Sequence, residues 1–383
     1  MEPFAAEAVE LPGSEEQVIK YAAFPRNDLI PLVARADSVG SEKIRASLLR
    51  TTETTSSTLG TLEVLPLEIL FDIISLLDIR SVFDLRHVNH RAEQIVTKSS
   101  GYEVSYKHAI ETLHVMLKTK AASWITLPTF AKLLYTKDCQ LCGYFGTFLF
   151  LPTFDRCCFR CIDMGRLPLL MKISVARLKR LDLKFHAEAS PQLKSIVKNL
   201  PGHYWDGHHS FTREMRTHIM LSEANANFGL RQGVQTSRVA QARLRHMVTT
   251  SFPWLDNQTG HAQTGISCEG CYISKDTKLL LGLPISPPTP WGTKSPVYTE
   301  DQFIEHFKTC PLAQHAWNNK LSERMREQKI NQERIRREKE QEDEKRRQEE
   351  QEQHLNSRIR HLVSEFTTFV NLQLGWQTPN EGI

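Results

Sequence analysis

The stretch Leu62–Val96, LEVLPLEILFDIISLLDIRSVFDLRHVNHRAEQIV, decides how the ordered part of this chain begins. Pro66 suits the first turn of a helix, where its missing N–H costs nothing, and Glu68 in that turn favours the positive end of the helix dipole. The helix then carries Ile69, Leu70, Ile73, Ile74, Leu76 and Leu77, two apolar faces on one short element. Ser81 with Asp84 three residues later has the form of a capping box, and Val82, Leu85, Val88, Ala92 and Ile95 continue at helical spacing. Two or three short helices are therefore expected. Segments below roughly 40 residues seldom fold alone, so their surplus apolar surface must be covered by the rest of the protein or by a partner.

These residues carry a family resemblance. LPLEILFDIISLL followed by DLRHVN resembles the F-box, whose pattern is L-P-x-E-[IL]-L, then Ile, then Leu, and a second helix ending near L-R-x-V-[CSN]. Leu65, Pro66, Glu68, Ile69, Leu70, Ile73, Leu77, Leu85, Arg86, Val88 and Asn89 fit it. Ile79 stands where many F-boxes have proline, and Ala92 where many have tryptophan. The resemblance implies a three-helix module that docks on the Skp-family adaptor of SCF-type cullin–RING ubiquitin ligases, with downstream sequence capturing a protein substrate. The adaptor-binding residues it implies are Leu65, Pro66, Glu68, Ile69, Leu70, Ile73, Leu77, Leu85 and Val88.

Outside this stretch, composition narrows the choices. Of 383 residues, 40% are hydrophobic and 24% charged, the balance of an ordinary globular chain. The N-terminus lacks a basic segment followed by an apolar one, and the most apolar run, residues 141–152, is far short of the roughly 20 residues a membrane span needs. No membrane partner is expected, and the reading is an intracellular protein of cytoplasm or nucleus. In a reducing compartment, clustered cysteines read as metal ligands rather than disulfides.

Five of the eight cysteines lie in CQLCGYFGTFLFLPTFDRCCFRC, residues 139–161. Cys139-x2-Cys142 and Cys158-x2-Cys161 enclose fifteen residues, a spacing typical of structural zinc. The Phe-rich segment between them suits a short β-hairpin. Cys157 is the fifth sulfur and the rival to Cys158. A second set combines Cys268-x2-Cys271 with His306 and Cys310, which share a face if TEDQFIEHFKTCP is a helix capped by Thr299. His315 is the alternative fourth ligand. The expected cofactor is thus structural Zn2+ at two sites. GHYWDGHH, with His203, His208 and His209, reads as a polar loop.

From Arg336 to His354 there is no apolar residue, and opposite charges recur four residues apart, a pattern that sustains a solvated helix. Leu355, Ile359, Leu362, Phe366 and Phe369 then form an amphipathic end.

The expected fold class is α+β, mainly α-helical. Its parts are a mostly flexible segment (1–60), an F-box-like helical module (61–100), a recognition body with four-cysteine knuckles (101–260), a second zinc-binding segment (261–317), a long charged helix (318–374) and a tail (375–383). The expected function is a non-catalytic substrate receptor: no nucleophile elbow, P-loop, dinucleotide fingerprint or HExxH helix is present. The alternative is a zinc-dependent nucleic-acid-binding protein, supported by a basic stretch, residues 156–198, with ten Lys/Arg against three Asp/Glu. It includes Arg156, Arg160, Arg166, Arg177, Lys179 and Arg180. A third reading is a scaffold that self-associates through the C-terminal helix.

Overall fold

The computed structural model describes residues 11–36, 46–48, 57–173, 196–204, 210–228, 237–272 and 296–374. Its N-terminal part departs from the expectation of mostly flexible chain. Residues 11–36 form helix α1 (Glu15–Ala22), strand β1 (Ala23–Pro25) and a 3-10 turn over Asn27–Leu32. Ser14 caps α1, and Val18 and Ala22 are fully buried. The partners of these residues lie more than 200 positions away, so short-range periodicity could not reveal them.

The helical layer begins with α2 (Leu67–Leu76), for which Pro66 is the residue just before the first turn. Helix α3 (Ile79–Arg86) is capped by Asp78, not by Ser81: the Ser81 N–H donates to Asp78 Oδ1 at 3.0 Å and its hydroxyl to Oδ2 at 2.6 Å. An aspartate one residue ahead of the helix competes better for that role than a serine inside it. Asn89 caps α4 (His90–Lys98) through the Ala92 N–H at 2.9 Å. Helices α5 (Tyr102–Thr119) and α6 (Leu127–Leu134) complete the layer.

The body that follows is built from short antiparallel sheets. Strands β2 (Phe148–Phe150) and β3 (Asp155–Cys157) form the hairpin expected between the first two cysteine pairs, and α7 (Phe159–Asp163) follows. Strand β4 (Leu170–Ile173) belongs to a second sheet with β5 (Val197–Lys198), while β6 (Gly202–Tyr204) and β7 (Ser210–Thr212) pair with each other. Strand β8 (Thr217–Met220) lies between β4 and β5. Helices α8 (Leu221–Phe228) and α9 (Arg238–Met247) precede β9 (Thr249–Ser251), which joins the other edge of β2. A main core runs from the helical layer through this sheet, with Phe130, Leu134, Phe148, Leu149, Phe150 and Phe252 almost completely buried.

A smaller core lies beside it. After the β10 (Trp254–Leu255) and β11 (Ala262–Gln263) ladder, β12 (Ile266–Cys268) pairs with β1, placing Ala23 opposite Cys268. Helices α10 (Glu269–Tyr272) and α11 (Glu300–Thr309) follow, and α1 packs with α11 and Trp317 around Phe303 and Phe307. Thr299 caps α11 in a full capping box with Gln302.

Helix α12 (Pro311–Leu374) carries the chain across the boundary between two compact units, Met1–Trp317 and Asn318–Ile383. In the second unit the side chains from Arg336 to Gln351 are all exposed. Arg334–Glu338 and Arg336–Glu340 close at 3.5 Å and Lys345–Glu349 at 3.8 Å, the i,i+4 ladder that the charge pattern predicts.

Candidate functional site

Helix α2 divides its two apolar faces between inside and outside. Leu70 and Ile74 are 6% and 4% exposed and join the main core, whereas Ile69, Ile73 and Leu76 are 45%, 41% and 80% exposed. Val64 and Leu67 before and at its first turn, and Val88 after α3, extend the outward apolar surface. The inward side is fixed by more than apolar contact. Arg86 is buried, donates to Glu93 Oε1 at 3.3 Å and lies over the Tyr102 ring, whose hydroxyl donates to the Leu48 carbonyl at 3.1 Å. A buried ion pair of this kind is costly to break, so it holds the module in one orientation. Ile69, Ile73 and Leu76 thus form an exposed apolar face on a module whose other side is anchored.

The first cysteine group is assembled by local turns. The Cys139 N–H donates to the Tyr144 carbonyl at 2.6 Å and the Gly143 N–H returns to Cys139 at 2.8 Å. Gly143 takes φ +74°, the left-handed value that glycine tolerates. The β2–β3 hairpin then delivers Cys158 and Cys161 at the start of α7. The sulfurs of Cys139, Cys142, Cys158 and Cys161 all lie within 4.8 Å of one another, with Cys142 and Cys158 at 3.6 Å. A disulfide would need about 2.05 Å, while four thiolates on one ion at 2.3 Å stand about 3.8 Å apart. Crowded thiols cannot all ionise unaided. The hydrogen bond from Cys158 pulls Cys139 down to about 4, and burial pushes Cys161 up to about 12. Cys157, paired with Phe148 on β3, is completely buried outside this group, and burial pushes its thiol well up.

The second group draws on distant elements. Cys268 ends β12, Cys271 sits on α10, and His306 and Cys310 lie on and just after α11. Their ligand atoms also lie within 4.8 Å of one another: Cys271 Sγ is 3.4 Å from His306 Nε2 and 3.7 Å from Cys310 Sγ. The other ring nitrogen of His306 lies 3.4 Å from the Tyr298 hydroxyl, and the two rings stack at 4.7 Å. Such an outer partner orients a ligating imidazole. Burial works to lower the His306 pKa, but hydrogen bonds with Cys271 and Cys310 outweigh it and lift it to about 9. Gly270 admits no side chain here, because a Cβ would lie 2.1 Å from the Leu312 carbonyl group. Both groups could hold a metal ion, and their sulfur-rich donors suit a thiophilic one.

Comparison with known proteins bears on the helical module. Residues 62–103 match the family model of the F-box domain. The chain carries an F-box. No curated protein and no solved structure matches the chain. Within the F-box, Pro66, Glu68, Ile69, Ile73 and Val88 are exposed, and Leu65, Leu77 and Leu85 are half-buried. Leu70 is the correction: one helical step from the outward face, it points into the main core and is not available to a partner. Val64, Leu67 and Leu76 are outward residues that the motif does not single out. The atypical Ile79 and Ala92 are 5% and 1% exposed and fill the interior.

Arg156 is a second correction. It is not part of a basic surface but fully buried, donating to the carbonyls of Gly146, Phe252, Leu133 and Pro253 at 2.7–3.1 Å. Burial drops its pKa to about 9. Arg160 and Arg166 are exposed, while Arg177, Lys179 and Arg180 lie outside the described residues. His203 is on β6 with its ring 4.7 Å from Phe211, and His208 and His209 lie outside the described residues. His315 stands outside the second ligand group. No helix among the described residues is long and apolar enough to cross a membrane.

Proposed function

We propose that this protein is a substrate receptor of an SCF-type ubiquitin ligase, with its F-box bound to the Skp-family adaptor and its zinc-stapled body facing a protein substrate. The observation that carries this reading is the outward face Ile69, Ile73 and Leu76, left in water on a module whose opposite side is locked by Leu70, Ile74 and Arg86. Adaptor binding would cover it. The receptor's contribution is positional: holding the substrate raises the effective concentration of its lysines near a ubiquitin-loaded enzyme supplied by another subunit.

Zinc is the ion we assign to both groups. Cys139, Cys142, Cys158 and Cys161 would hold one, and Cys268, Cys271, His306 and Cys310 the other. Four protein ligands leave no open position, so the role is structural: the ion neutralises thiolates and fixes the segments that carry them.

Co-purification of the full chain with the Skp-family adaptor tests the receptor reading. Wild type should retain the adaptor, and Ile73→Glu with Leu76→Glu should lose it without loss of helical content. Retention by the double variant would rule out this face.

A further inference from the structure

The end of α12 carries an exposed apolar seam that is no part of the F-box. Leu355, Ile359, Leu362, Phe366 and Phe369 step by four, three, four and three residues and are 48–68% exposed. That alternation is the a/d pattern of a heptad, with Ile359 and Phe366 at a and Leu355, Leu362 and Phe369 at d. It begins abruptly, because the preceding residues from Arg336 to His354 include nothing apolar. The opposite side, with Ser357, Arg360, His361, Ser364, Thr367 and Thr368, is polar. A helix with two exposed phenylalanines on one line has a surface shaped for another helix.

The charges beside the seam select the partner. Arg358 and Glu365 occupy successive g positions. In a parallel pair, g faces the e position of the other helix, so Arg358 would meet Val363 of the second copy and find no opposite charge. In an antiparallel pair, Ile359 packs on Leu362 of the second copy and Phe366 on Leu355, and g faces g. Arg358 then stands opposite Glu365 of the second copy, and two-fold symmetry repeats the contact. The surface is therefore complementary to itself in one orientation. Within its own helix Glu365 meets exposed His361 at 3.6 Å, a contact of little strength.

We propose that residues 355–366 pair with a second copy of this chain as a short antiparallel coiled coil. The paired stretch spans roughly 18 Å, so the dimer forms at micromolar rather than nanomolar concentration.

Sedimentation equilibrium of the full chain, from sub-micromolar to tens of micromolar, reads this directly. A reversible monomer–dimer equilibrium is expected, and Leu362→Glu should abolish it. Arg358→Glu and Glu365→Arg should each weaken it about tenfold, as two attractive pairs become repulsive, and the two changes together should restore it. Ile73→Glu with Leu76→Glu should leave it unchanged, because the F-box face is not the contact. A chain that stays monomeric at tens of micromolar overturns the proposal. So does a larger oligomer, a dimer indifferent to the single charge reversals, or one abolished by the F-box substitutions.

Discussion

The two cysteine groups offer similar chemistry but are built in opposite ways. The first is drawn from one stretch, residues 139–161, closed by two tight turns and a hairpin that is also the centre of the main core. The second joins β12, α10 and α11, and the β1–β12 pair ties it to the N-terminal segment. A local site can be read from spacing alone, whereas a distributed one is legible only as a ligand set. The difference also sets what each ion would hold: the first a knuckle inside the core, the second the attachment of chain segments hundreds of residues apart.

Removing one ligand from each site is the harshest way to separate them. Cys158→Ser should collapse the main core, with the cooperative melting transition lost and a stability deficit of several kcal/mol. Cys271→Ser should drop one ion and leave the main transition in place, while amide exchange accelerates across Glu15–Pro25 and Glu300–Thr309. Equal damage from both would mean that the two cores do not fold separately.

The glycines sharpen the same contrast at smaller cost. Gly270→Ala meets backbone atoms of Leu312 at 2.1 Å and should cost about 3 kcal/mol, together with metal at the second site. Gly143→Ala meets nothing within 4 Å and carries only the strain of a left-handed residue, about 1 kcal/mol. Thermal melts with zinc quantified in parallel would distinguish the two. Cys157→Ser buries a hydroxyl for about 1–2 kcal/mol but should leave the metal content unchanged. Loss of one ion in that variant would transfer the ligand role from Cys158.

The helical module was legible because its signals are local: Pro66, the doubled apolar face and the Arg86–Asn89 ending all lie within one short stretch. The hairpin and the Thr299 cap were legible for the same reason. Three features were not. The order of α1 and β1 depends on β12 and α11, and that of Leu29–Ala36 on the main core, where the Ala34 N–H donates to the Thr249 carbonyl, all far along the chain. The burial of Arg156 depends on carbonyls contributed by three separate segments, so that in sequence it resembles any arginine of a basic run. Leu70 shares its residue type and motif with outward neighbours, and only the placement of α2 against the body decides which side each residue faces.

Native mass spectrometry of the full chain co-expressed with the Skp-family adaptor tests the account most directly, because it reads partner and metal in one spectrum. The predicted species contains one adaptor and two zinc ions per chain. A folded chain that carries no zinc and takes up no adaptor would contradict it.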